Sequence, residues 1–89
     1  MIHKNAGRSE WQQATPDERR EYVTRACQRC AQKGLGMALP SLVEEGITEF
    51  FTAPLCHNKP VHFIFGEVFA AITKLGHYRS LLDQYRKGP

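Results

Sequence analysis

The longest regular pattern of apolar positions runs from Pro60 to Tyr85. Apolar residues recur there every three or four positions, which is the spacing of one face of an α-helix. A continuous helix from Pro60 to Arg86 would be about 40 Å long, whereas a domain of this size is roughly 30 Å across. The pattern therefore predicts either a break at Gly76 or an overhang that packs on another subunit. The apolar positions are Val61, Ile64, Phe65, Val68, Phe69, Ile72, Leu75, Leu82 and Tyr85.

The start of this region carries a competing signal. Residues Val61 to Phe65 are mostly β-branched or aromatic, a composition typical of strands. The helical spacing continues past Gly66, however, and this continuation favours a helix.

A strong helix start lies near the N-terminus. Thr15 can cap the free amides, Pro16 suits the first helical position, and Glu18 completes a capping box. The apolar stripe that follows extends to about Lys33, and Gly34 can adopt the left-handed conformation that ends a helix. We expect the first helix between these limits.

A second, shorter helix is predicted to begin at Ser41, because Ser41 to Glu44 repeats the capping-box pattern. Pro54 ends it, since the residue before a proline resists helical geometry. The loop that follows includes Asn58, a candidate cap for the helix that Pro60 opens. In the connector from Gly34 to Pro40, Leu35, Met37 and Leu39 are expected to pack inward.

Residues 1–14 show no clear periodicity, so we interpret them as a loosely held N-terminal arm. Trp11 is the exception: it either anchors the arm on the domain or is exposed and binds a partner. The predicted fold is all-α, a small bundle of three helices, or four if Gly76 breaks the last. Residues 15–89 then form a single helical domain.

Composition indicates the cellular compartment, and chain length limits the stability of the domain. The chain has 89 residues, 42% hydrophobic and 24% charged, which is typical of a soluble globular protein. Such a small chain has a thin stability margin unless it oligomerises. No apolar run reaches the roughly 20 residues of a membrane helix, and the N-terminus lacks a signal-peptide core. The odd number of cysteines, three, favours a reducing, cytoplasmic setting.

The cysteines also raise the possibility of a zinc site. Cys27 and Cys30 are spaced to share a metal on one helix face, and Cys56 and His57 would complete a tetrahedral set. The second pair is adjacent, which makes joint ligation awkward. The first pair lies on an apolar stripe, where cysteine behaves as a small hydrophobe. We favour core cysteines and expect no metal and no cofactor.

A basic ridge is predicted on the first helix. Arg25, Arg29 and Lys33 lie one turn apart, and Lys4 and Arg8 in the arm add charge. Such a ridge can follow phosphates, although cations near a helix C-terminus also favour the helix dipole. The net charge of +3 permits a nucleic-acid-binding regulator as the alternative function.

Apolar residues outside the main stripe point to a second surface. Phe51 follows Phe50 directly, and adjacent side chains on a helix diverge by about 100°. Phe63 and Leu81 lie across the last helix from the main stripe, and Trp11 is the further candidate. No arrangement of residues typical of an enzyme active site is visible. The sequence therefore predicts a non-enzymatic inhibitor or adaptor that binds a larger protein and forms a homo-oligomer.

Overall fold

The structure, a computed structural model, describes residues 7–54, 59–74 and 77–87. These residues form five helices and no strand, so the predicted all-α class is confirmed and the competing strand at 61–65 is wrong. No helix in the described ranges is long and apolar enough to cross a membrane. The helices are α1 (Arg8–Gln13), α2 (Pro16–Gln32), α3 (Pro40–Phe50), α4 (Val61–Thr73) and α5 (His77–Lys87).

Helix α2 forms as its sequence predicts. The Thr15 N–H donates to the Glu18 carboxylate at 2.8 Å, and the Glu18 N–H donates to the Thr15 hydroxyl at 3.1 Å. At the other end, Gly34 takes a φ of 73°. The N–H groups of Gly34 and Leu35 bond to the carbonyls of Ala31 and Cys30. This is the Schellman ending, so both predicted ends of the helix are confirmed.

Helix α3 begins one residue earlier than predicted. Pro40 occupies the first turn, and no side chain caps the preceding residue, so the predicted Ser41 capping box does not form. Instead the Leu39 carbonyl accepts the N–H groups of Leu42 and Val43 at 3.0 and 3.2 Å. The reason is that proline fixes its own φ at a helical value and lacks the N–H that a cap would satisfy.

The long C-terminal stripe is divided between α4 and α5. The chain leaves helical geometry at Lys74, with φ −97° and ψ 104°, and α5 begins at His77. The helix therefore breaks between Thr73 and His77, in the region where the sequence predicts a break, and the described residues form five helices where three or four were predicted. Gly76, Leu75 and Asn58, to which the sequence assigned roles, lie outside the described residues.

Helix α3 lies at the centre and packs against α2, α4 and α5. Helix α3 approaches α4 closely at Gly46, where an added Cβ would lie 2.5 Å from a Val68 methyl group. The core is apolar, since no polar or charged residue of the described chain is buried. Its largest fully buried side chains are Trp11, Val23, Val43, Ile47, Phe50, Phe51, Val61, Ile64 and Val68.

The N-terminal segment is not a loose arm over residues 8–13, where it forms α1. Trp11 is fully buried, and its indole N–H donates to the Thr48 hydroxyl at 3.0 Å. The Arg19 guanidinium donates to the carbonyls of Trp11 and Gln12 at 2.9 and 3.0 Å. It also lies 5.4 Å from the indole centroid, a cation–π distance. One large side chain and one arginine thus hold α1 against the domain.

Candidate interaction surfaces

The connector between α2 and α3 exposes large apolar side chains. Leu35, Met37 and Leu39 are 62%, 81% and 64% exposed. The intervening residues point the other way: a Cβ on Gly36 would lie 3.6 Å from a Thr73 methyl group, and Ala38 packs against the core. The expectation that the three large residues pack inward is therefore wrong.

The large connector residues are exposed because of the backbone geometry at Gly36. Gly36 takes a φ of 112°, which only glycine adopts without strain. The inward side is occupied by this glycine and Ala38, and the larger residues are left outside.

Leu42 in the first turn of α3 adds another apolar side chain, 44% exposed. We call Leu35, Met37, Leu39 and Leu42 the connector surface. Within the described chain, the backbone N–H groups of residues 36–38 donate no hydrogen bond. Both apolar side chains and free backbone groups are therefore presented together. Sequence reasoning missed this surface, although the alternation of large and small residues from Leu35 to Leu39 was a signal for it.

Two of the predicted interface residues are not at the surface. Phe51 and Trp11 are buried in the monomer. Phe51 is buried because α3 has neighbours on several sides, so side chains that diverge along it still meet protein. Neither residue offers a surface to a partner.

The other two predicted interface residues retain some exposure but lie in different places. Phe63 is 40% exposed, and the Lys59 ammonium lies 5.0 Å from its ring centroid. Leu81 is half-buried against the core and lines a shallow groove between α4 and α5 of about 430 Å³. The structure describes no contact that joins them.

The basic ridge lines an open groove of about 790 Å³ between α2 and α4, which we call the α2–α4 groove. Arg25, Arg29 and Lys33, which the spacing placed on one ridge, all line this groove. Burial raises the pKa of Tyr22 in this groove, and the charge of Arg29 opposes that rise. The lining residues are Glu18, Glu21, Tyr22, Arg25, Ala26, Arg29, Cys30, Lys33, His62 and Phe65.

The charges along this groove are of both signs. Glu18 and Glu21 line it alongside the three cations, and Glu21 pairs with Arg25 at 2.6 Å. Among the described residues, Arg29 and Lys33 have no ion-pair partner. Arg8, in α1, does not line the groove, and Lys4 lies outside the described residues.

The cysteine positions fit the core interpretation as far as they are described. Cys27 is buried in the core and Cys30 is half-buried; both are free thiols. Burial raises the pKa of the Cys27 thiol, with the neighbouring Cys30 adding to the rise. Within the described ranges, no group of three or more His, Cys, Asp or Glu side chains is arranged to hold a metal. Cys56 and His57 lie outside those ranges.

Comparison with protein-family models, with curated proteins and with solved structures found no match. Two surfaces of the described chain are the candidates for a functional site. One is the apolar connector surface, and the other is the α2–α4 groove with its charges of both signs.

Proposed function

We propose that this protein is a non-enzymatic inhibitor or adaptor that binds a larger protein through the connector surface. The observation that supports this proposal is the exposure of three large apolar side chains, Leu35, Met37 and Leu39, within one short connector. Exposed clusters of large apolar side chains mark interaction surfaces on small proteins. Methionine suits such a role, because its flexible thioether adapts to irregular pockets.

The magnitude of this burial indicates what kind of partner fits. Burying a fully exposed leucine or methionine side chain contributes about 1.5–3 kcal/mol. Because the three connector residues are on average already about one third buried, their burial contributes roughly 3–6 kcal/mol. Association itself costs roughly 4–15 kcal/mol. The side chains alone therefore support weak binding, and a tight complex needs the backbone as well. The N–H groups of residues 36–38, which are unbonded within the described chain, would then donate to oxygen acceptors on the partner.

A photo-crosslinking residue at position 37 tests this proposal in the native host. The matched control carries the same residue at Gln28, an exposed position on α2. We expect position 37 alone to crosslink a specific larger protein. Excess unlabelled wild type should abolish that crosslink, whereas excess Leu35→Ser/Met37→Ser should not. Equal crosslinking from both positions, or equal competition by the variant, would contradict the proposal.

Self-association and a reducing, cytoplasmic setting are part of the same proposal. The free thiols of Cys27 and Cys30 support the setting, because such thiols persist in reducing compartments. The small size supports self-association, because oligomerisation adds buried surface to a thin core.

A nucleic-acid-binding regulator is the second candidate. It is favoured by the position of Arg25, Arg29 and Lys33 along one groove. It is disfavoured by Glu18 and Glu21 in the same groove, which would repel phosphates. Titration with a DNA duplex at two salt concentrations distinguishes the candidates, because phosphate binding weakens steeply with salt. Absence of binding at low salt would exclude this function.

A further inference from the structure

The charges of the α2–α4 groove are arranged in order along α2. The acidic residues that line the groove, Glu18 and Glu21, come first in the chain. The basic residues that line it, Arg25, Arg29 and Lys33, follow them. The distance from position 18 to position 33 is about 22 Å along a helix. An identical helix in the opposite direction presents the same charges in the reverse order. The groove is therefore electrostatically complementary to a second copy of itself.

We propose that two copies of this chain associate through this groove, with their α2 helices antiparallel about a two-fold axis beside residues 25 and 26. This arrangement places Glu21 of each copy near Arg29 of the other, and Glu18 near Lys33. A two-fold interface is self-complementary, so each pairing occurs twice. The proposal assigns a surface to the self-association in the proposed function and rests on it.

The apolar part of the groove suits a helix. Phe65 forms its floor and Tyr22 stands beside it, with 6.1 Å between ring centroids. Ala26 lies near the proposed axis and is partly buried. A small residue at that point lets two helix backbones approach closely. Tyr22 and Phe65 would then lose their remaining exposure to water, which favours association.

The existing ion pairs agree with this arrangement. At the axis, Arg25 would lie near Arg25 of the other copy. Glu21 of the same chain already offsets this charge through an ion pair of 2.6 Å. Arg29 and Lys33 lack carboxylate partners within the described chain, so a second copy would supply them. A nucleic acid would supply phosphates to these cations but would also meet Glu18 and Glu21, so we favour the second copy.

Charge exchange at two positions tests the proposal. Glu21→Arg places like charges opposite each other in a homodimer, and so does Arg29→Glu. We expect each variant to be monomeric at concentrations where the wild type is dimeric, with a dissociation constant raised at least tenfold. An equimolar mixture of the two variants should form a heterodimer, because each restores the other's pairing. The double variant E21R/R29E should dimerise by itself for the same reason.

Arg20→Glu is the matched control, because Arg20 is exposed on α2 and does not line the groove. It should dimerise as the wild type does. Sedimentation velocity gives the mass, and circular dichroism on the same samples shows that the helices are intact. Salt should weaken the wild-type dimer, because it screens the exposed pairs.

Two outcomes would overturn the proposal. One is a wild type that stays monomeric at high micromolar concentration, and the other is a variant mixture that fails to form a heterodimer. A monomer that binds a DNA duplex, and loses this binding in Arg29→Glu, would reassign the groove to nucleic acid. The connector proposal is tested separately: Leu35→Ser/Met37→Ser should still dimerise, whatever its effect on a larger partner.

Discussion

At Gly46 the packing leaves no room for any side chain. A Cβ at this position would lie 2.5 Å from a methyl carbon of Val68 and 2.9 Å from the Tyr78 ring. Val68 is fully buried, and its β-branched side chain has little freedom to turn away. Gly46→Ala should therefore destabilise the fold by about 1–3 kcal/mol through overpacking. Urea unfolding followed by circular dichroism measures this change.

Gly66 supplies the matched control for this prediction. It lies inside α4, is exposed, and has nothing within 4 Å of the position that a Cβ would take. Alanine is favoured over glycine in an open helix by about 1 kcal/mol, so Gly66→Ala should stabilise the protein. A Gly46→Ala variant as stable as Gly66→Ala would show that α3 does not approach α4 so closely.

At the scale of the helix, the α2 capping box makes a measurable contribution. The Thr15 hydroxyl accepts the Glu18 N–H at 3.1 Å, and loss of such a cap typically costs about 1 kcal/mol. For a domain of this size, 1 kcal/mol corresponds to a decrease in Tm of about 4–8 °C. Thr15→Ala should show this decrease in a thermal melt. Thr24→Ala, inside the same helix, is the control and should not lower Tm, because alanine has the higher helix propensity.

The same cap predicts a pH dependence. The hydrogen bond from the Thr15 backbone N–H is the largest cause that lowers the pKa of Glu18 to about 2, from 4.5. Because the pKa is lower in the folded state, the ionised carboxylate stabilises the fold above pH 4.5. This contribution is lost as the pH falls towards 2. Urea midpoints measured across that range should decline more steeply for the wild type than for Glu18→Gln.

The elements show which features a sequence can predict. Helix α2 was predictable because its cap and its Gly34 ending involve residues that are neighbours in the chain. The start of α3 was misplaced because Pro40 and Ser41 offer competing local starts, and the proline forms the first turn. The direction of the connector side chains depends on Thr73, far along the chain. The local alternation of large and small residues indicates that the connector has two sides, but it does not specify which side contacts Thr73.

For the whole molecule, the candidate surfaces also differ in how far the sequence predicts them. The basic ridge was predictable, because Arg25, Arg29 and Lys33 follow helical spacing on one element. Its place in a groove beside Phe65 depends on how α4 packs, which the spacing does not specify. The burial of Phe51 likewise depends on helices that surround α3. The spacing of residues on one helix was predictable, whereas contacts between helices were not.

The attachment of α1 is the last whole-molecule question that an experiment can decide. Trp11 contacts residues from two other helices, since its ring packs edge-on against Tyr22 and its N–H bonds to Thr48. Truncating a buried tryptophan to alanine costs about 3–5 kcal/mol. A domain of this length has a total stability of roughly 4–13 kcal/mol. Trp11→Ala should therefore unfold the chain at the lower end of that range, and lower its urea midpoint strongly at the upper end.

Two further variants divide the contribution of Trp11 into its parts. Trp11→Phe keeps an aromatic ring but loses the hydrogen bond, so it should cost less than Trp11→Ala. Thr48→Val removes only the acceptor and leaves the buried indole N–H without its partner, a loss of about 1–3 kcal/mol. Urea unfolding by circular dichroism should rank the wild type above both of these variants and Trp11→Ala last. Removal of a buried anchor must lower the free energy of unfolding. If Trp11→Ala instead unfolds at the wild-type midpoint, α1 is the loosely held arm that its irregular sequence suggests.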